Sequence, residues 1–248
     1  MILSPEQLSE LKKYDSPTIC NAIELFGIQE RLDGIMMPGM TLRTESRVPV
    51  IGYAATAKVS GTMPDPKAHQ MLMGYYQHVR DSQKPCIAVI QDVDREPCGS
   101  FWGEVQATVH KSLGAVGAIV DGGVRDIAEA DQLGFAFYST QVHVAHGYTH
   151  VEKYNCPIKI LGLEIHPGDL LFADRYGVVK IPDEIALSLA GACERTIRAE
   201  LPMLEPCREA IRNHRMPTME ELDAWRSSMD RERMETGCSG SRMENWVQ

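Results

Sequence analysis

Apolar positions along this chain follow two rhythms, and the change from one to the other marks its elements. Ser4-Pro5-Glu6-Gln7 has the form of a capping box with Pro5 at the first helical position, predicting a short helix to about Tyr14. Ser16-Pro17 repeats the start signal for a second helix, TICNAIELF, which Gly27 ends. From Val48 to Val59 the pattern is β-like. From Lys67 to about Ser82, Met71, Leu72, Tyr75, Tyr76 and Val79 fall at helical spacing, an apolar face for the core.

The middle of the chain is the most regular. Cys86-IAVI is a short apolar run followed by a polar loop, QDVDREPCGSF. WGEVQATVHKSL has helical period and ends at Gly114. AVGAIV is a second apolar run, Asp121-Gly122-Gly123 its loop, RDIAEADQL a helix to Gly134, and FAFY a third run. Strand–helix–strand–helix–strand implies parallel pairing, with ligands beyond the carboxyl ends of the strands. PIKILGLEIHPGDLLFADRYGVVKIP, with Gly and Pro every few residues, reads as antiparallel or mixed β. A long helix is expected from Asp183 to about Leu204, broken near its end by Pro202 and Pro206. Another runs from Met219 to about Met234, its charged face solvated or packed on another subunit, and a mobile tail is expected from Thr236. The organisation expected is an α/β domain over residues 1–182 and a C-terminal helical extension over 183–248.

Composition narrows the function. With 44% hydrophobic and 24% charged residues over 248, the chain is an ordinary globular protein that needs no disulfides to fold. A net charge of −9 disfavours a nucleic-acid partner, because phosphate backbones are repelled. The seven cysteines form no CxxC pair, which excludes zinc-ribbon and thioredoxin readings and points to free thiols in a reducing cytoplasm. The opening MILSPEQLSELKKYD is not signal-peptide-like, and no run is long enough to span a membrane.

Two loops fall at one predicted sheet edge. In Trp102-Gly103-Glu104-Val105-Gln106, Gly103 lets a ligand approach the backbone, and the free N–H groups of the following helix attract a carboxylate. In Asp121-Gly122-Gly123-Val124-Arg125-Asp126, Arg125 can bind a carboxylate or enolate oxygen, and Asp126 a hard divalent cation. The competing view is a plain turn whose Arg-Asp pair offsets the helix dipole.

The segment GEVQATVHKSLGAVGAIVDGGVRDIAEADQLGFAFYST, followed by PGDLLFADRYGVVKIP, resembles the RraA-like family; SPTICNAIELFG and GYAATAKV fit the same pattern. That family includes class II 4-hydroxy-4-methyl-2-oxoglutarate/4-carboxy-4-hydroxy-2-oxoadipate aldolases and RraA, the regulator of ribonuclease activity. The resemblance covers about Ser16 to Ile181. It implies a swivelling β/β/α fold and a homotrimer or hexamer. By position it assigns Asp126 to Mg²⁺ or Mn²⁺, Arg125 to the pyruvate moiety and its enolate, and Gly103 to Gln106 to the pyruvate carboxylate. It gives Glu104 to the water around the metal and a C-terminal glutamate of a neighbouring subunit to the same water shell, with Glu194 the candidate and Glu200 second. The implied activity is retro-aldol cleavage of a 4-hydroxy-2-oxo acid to pyruvate, with oxaloacetate decarboxylation through the same enolate. A ribonuclease-binding regulator, or an isomerase or hydratase on a related oxo acid, are the alternatives.

Three features depart from the family pattern: Asn21 where Asp is frequent, Glu104 where the aldolases have Asp, and a longer segment beyond Leu204. Of the remaining candidates, His143, His146 and His150 lie close together, with His146 the favoured substrate contact over a separate metal site. Asp174 reads as a turn residue, and Trp102 as pocket wall or core.

Overall fold

A computed structural model describes residues 2–45 and 48–237. The chain forms two compact units, one from Gly34 to Asp183 and one combining the chain up to Asp33 with that from Glu184 onward. The two N-terminal helices, grouped by sequence with the α/β domain, thus cluster with the C-terminal ones.

In the helical unit, α1 (Pro5–Leu11) starts with the expected capping box, Ser4 and Gln7 each bonding the other's backbone. Helix α2 (Ser16–Glu24) is capped by Asp15, whose side chain accepts the Thr18 N–H, so Ser16 is its first residue and not its cap. The other two members, α6 and α7, follow the α/β unit in sequence.

In the α/β unit the strands are β1 (Thr41–Leu42), β2 (Val50–Ser60), β3 (Cys86–Asp92), β4 (Ser100–Trp102), β5 (Ala115–Val124), β6 (Ala136–Val142) and β7 (His150–Tyr154). They continue with β8 (Ile158–Ile160), β9 (Leu163–Ile165), β10 (Leu170–Asp174) and β11 (Gly177–Ile181). Its helices are α3 (Ala68–Asp81), α4 (Glu104–Ser112) and α5 (Ile127–Gln132). Among the described residues nine strands make one mixed sheet, in the order β1-β6-β5-β3-β2-β10-β11, with β4 beside β5 and β7 beside β2. β2, β3, β5 and β6 pair in parallel, as the strand–helix alternation requires. β8 and β9 form a separate hairpin.

The period of two along the central strands divides the core. Ala55, Ala57, Ala88, Ile90, Ala118 and Val120 face the helices, meeting Tyr75 and Val79 of α3, Ala107 of α4 and Ala130 of α5. Ala54, Ile87, Val89 and Ile119 face the other way, onto Ile158, Ile160, Leu163 and Ile165 of the small hairpin. Helices, large sheet and small sheet are the three layers of a β/β/α arrangement, with alanines where helices press on the sheet.

Three elements differ from expectation. Asp121-Gly122-Gly123 is no turn: β5 runs through it, with an irregularity in its pairing to β6 between Val120 and Gly123. Strand β4 spans the end of the presumed loop QDVDREPCGSF and the Trp102 that opens the presumed helical segment, and takes the place beside β5 that β3 leaves after Asp121. In the helical unit, α6 (Leu189–Arg212) runs through Pro202 and Pro206. It packs on α2 and on α7 (Met219–Glu235), and that packing outweighs the two lost N–H donors. The tail beyond Gly237 lies outside the described residues.

Candidate functional site

β5 emerges between two neighbours that fix its end. Arg125 N–H donates to the Trp102 carbonyl at 3.0 Å, and His143 N–H to the Val124 carbonyl at 3.1 Å. Asp126 then turns the chain into α5 with φ 52° and ψ 44°, the left-handed region. A non-glycine residue there costs on the order of 1–2 kcal/mol, although aspartate tolerates it better than most. Asn155, Leu161 and His214 share that backbone region, so the conformation gains meaning at Asp126 only through what its carboxylate touches.

What holds Asp126 is α4. This helix has no side-chain cap of its own at Gly103. Its first amide, Glu104 N–H, donates instead to Asp126 Oδ2 at 3.0 Å. The Arg125 Nε lies 3.8 Å from the same oxygen. Asp126 Oδ1 has no partner among the described residues. The first backbone bond within α4 is Ala107 N–H to the Gly103 carbonyl, so the Val105 and Gln106 amides precede it and are available to an anion. Gly103 is needed for the close approach, since a Cβ there would overlap the Asp126 carboxylate. The Glu104 side chain is exposed on the same turn. The Gln106 side chain turns away and accepts the Tyr76 hydroxyl at 3.0 Å, leaving only its amide to the site.

Arg125, Asp126, Gly103, Glu104, Val105 and Gln106 are therefore brought together from two segments twenty residues apart. His146 is exposed and packs locally, its Nδ1 3.1 Å from the Gly147 carbonyl. Another residue of its loop reaches the site: the Val144 carbonyl accepts from Arg125 Nη1 at 3.5 Å. His150 is buried in β7, between the Tyr148 carbonyl and Glu152 Oε1, each at 2.9 Å. Its pKa is raised; burial opposes the shift, but both hydrogen bonds and the charges of Glu152 and Asp65 outweigh it. Glu194 is exposed on α6 of the helical unit, where it raises the Tyr14 pKa alongside burial. Glu200 accepts from Arg233 at 3.4 Å, tying α6 to α7. Asp174 accepts the Tyr176 N–H at 2.8 Å, the turn role expected of it.

Sequence reasoning missed His110. It is fully buried on α4 with its ring 4.5 Å from that of Trp102, and its Nδ1–H donates to the Gln106 carbonyl at 2.8 Å. Burial drives its pKa down to about 4, so it is neutral. Trp102 proves to be core, and the His110 ring packs against it and against the rings of Tyr75 and Tyr76. Its helical spacing from Gln106 was the available signal.

The donor set fits a hard divalent cation. No group of three His, Cys, Asp or Glu side chains among the described residues can hold a metal. A single free carboxylate oxygen with water completing the shell is how Mg²⁺ is bound, whereas zinc takes three or four protein ligands.

The chain matches the RraA-like family (Aldolase/RraA) over residues 16–180, and belongs to it. It is 26% identical over 216 residues to protein DlpA of Legionella pneumophila, covering 83% of this chain and 34% of that protein, so it spans about a third of DlpA's length. It is 29% identical over 168 residues to a candidate 4-hydroxy-4-methyl-2-oxoglutarate aldolase of Halalkalibacterium halodurans, covering 67% of this chain and 72% of that one. Among solved structures it is similar to Streptomyces coelicolor RraAS2, described as an unusual member of the RNase ES inhibitor RraA family. There the TM-score is 0.64 at 22% identity, over 81% of this chain and 96% of that one, a likeness of fold. No helix among the described residues is long and apolar enough to cross a membrane.

Proposed function

We propose that the protein is a divalent-metal-dependent carbon–carbon lyase that cleaves a 4-hydroxy-2-oxo acid to release pyruvate. One observation carries this reading. The Asp126 carboxylate is held in a strained backbone conformation by a single amide, with its second oxygen free beside the Arg125 guanidinium. A salt bridge serving only stability needs neither the strain nor the free oxygen.

Asp126 Oδ1 would hold Mg²⁺ or Mn²⁺, which supplies Lewis-acid stabilisation of a developing enolate. The residues do the rest. The Val105 and Gln106 amides at the start of α4 take the substrate carboxylate. Arg125 presents its planar donors to the 2-oxo oxygen, where charge accumulates. Glu104 accepts, through water, the proton of the 4-hydroxyl. The C3–C4 bond then breaks, C4 becomes a carbonyl, its electron pair forms the enolate, and protonation at C3 gives pyruvate. Oxaloacetate, losing carbon dioxide from the same position, would use the same machinery. The reading includes a homotrimer or pair of trimers in which Glu194 of a neighbouring copy completes the water shell.

The test is pyruvate release from a panel of 4-hydroxy-2-oxo acids and oxaloacetate, with Mg²⁺ and with EDTA. Release that requires the cation supports the lyase. No release from any of them, together with binding to a ribonuclease, would favour the regulator that the likeness to RraAS2 keeps open.

A further inference from the structure

We infer that His143 is a specificity-determining residue, whose Nε2–H binds the half of the substrate that departs; this rests on the lyase reading above. The histidine is mounted at the site from three directions. Its N–H donates to the Val124 carbonyl at 3.1 Å, one residue before Arg125. Its carbonyl accepts the Ser100 hydroxyl at 2.6 Å. Its Cβ stands 2.7 Å from where a side chain on Gly123 would begin, so only glycine there admits it.

The ring is fixed as well. Nδ1 lies 3.1 Å from the Ala145 amide and 3.3 Å from the Ala145 carbonyl. The Ala145 N–H has no other acceptor among the described residues, so Nδ1 serves it as the acceptor. The proton of the neutral ring is then on Nε2. Nε2–H has no partner among the described residues and the ring is half-buried. The next residue's carbonyl touches Arg125 Nη1 at 3.5 Å, so His143 and Arg125 flank one peptide group. Arg125 takes the pyruvate end; a donor one peptide away suits an oxygen anion beyond C3. His146, by contrast, spends its Nδ1 on its own loop.

Two variants separate donor from scaffold. His143→Asn retains an acceptor for the Ala145 N–H and removes the distal donor, and His143→Gln keeps a donor near the Nε2 position. The readouts are oxaloacetate cleavage and Mg²⁺-dependent exchange of the pyruvate methyl protons with D₂O, since pyruvate has no departing half. His143→Asn is expected to raise KM for oxaloacetate about 10- to 100-fold, the worth of one hydrogen bond to a charged group, with pyruvate exchange within about threefold. His143→Gln should recover most of the loss. An Asn variant like wild type in both assays overturns the inference. So does one that loses both equally, because His143 would then only support Arg125. A wild type without exchange or cleavage removes the lyase reading, and this inference with it.

Discussion

Asp94 and Asp126 follow neighbouring strand ends of one sheet, and their surroundings differ in one respect that decides their use. Asp94 is saturated. Its carboxylate accepts Ser60 Oγ at 2.8 Å, Gly61 N–H at 2.7 Å and Thr62 Oγ1 at 3.2 Å. Partial burial pushes its pKa up, but these bonds prevail and hold it below the usual range. Asp126 has one amide, a distant guanidinium and a free oxygen. A carboxylate with both oxygens engaged closes a loop; one with an oxygen left free has capacity for a ligand. Counting donors separates a closed carboxylate from one with room for a ligand, where sequence shows only two acidic loops.

The largest predicted effects test that contrast directly. Asp126→Asn keeps an acceptor for Glu104 N–H and tolerates the left-handed backbone, so the melting temperature should hold within a few degrees while metal-dependent turnover falls at least ~100-fold. Asp94→Asn should do the reverse, costing about 1 kcal/mol of stability and leaving kcat within a few-fold. Comparable activity losses in both would erase the distinction. Arg125→Lys retains the charge but loses the fork, and turnover should drop roughly 100–1000-fold; a variant within a few-fold of wild type would make Arg125 structural.

Gly103→Ala comes next. Its Cβ would displace the Asp126 carboxylate, which should weaken Mg²⁺ activation at least ~10-fold and destabilise the fold by about 1–3 kcal/mol, read by thermal melting. Unchanged metal activation would mean that the close approach does not serve the site.

The last effect leaves turnover aside and concerns a third aspartate of this edge. Asp92 is buried, and desolvation, helped by the charges of Asp94 and Asp121 against the Asp94 amide bond, raises its pKa to about 6. An unfolded aspartate titrates near ~3.9. The fold therefore prefers the neutral acid: this contribution is fully present below pH ~4 and lost as pH rises through about 6. Asp92→Asn removes that dependence, and should gain on the order of 1–2 kcal/mol at pH 8 relative to pH 4 in urea unfolding. A wild-type difference between those pH values equal to the variant's would contradict it.

How far the sequence goes is clear from particular residues. The capping box at Ser4 and the short apolar runs Cys86 to Ile90 and Ala115 to Val120 are local signals, and led to the right elements. Gly103, Arg125 and Asp126 were legible from motif spacing, which survives because both loops end adjacent elements of one sheet. Strand β4 was hidden because three residues make no period, and its pairing with β5 is a tertiary fact. Pro202 and Pro206 argued against a helix that packing nonetheless sustains. The choice between His143 and His146 depends on which ring the backbone of Ala145 and Ser100 pins, and spacing alone carries no trace of it.

The central claim is that Arg125 and the cation site of Asp126 stabilise a pyruvate enolate. The most direct measurement is proton NMR of pyruvate in D₂O with purified protein. The account predicts loss of the methyl signal that requires Mg²⁺, stops with EDTA, and is slowed ~100-fold or more by Arg125→Lys. A methyl signal as persistent with protein and Mg²⁺ as in buffer with Mg²⁺ alone would contradict it.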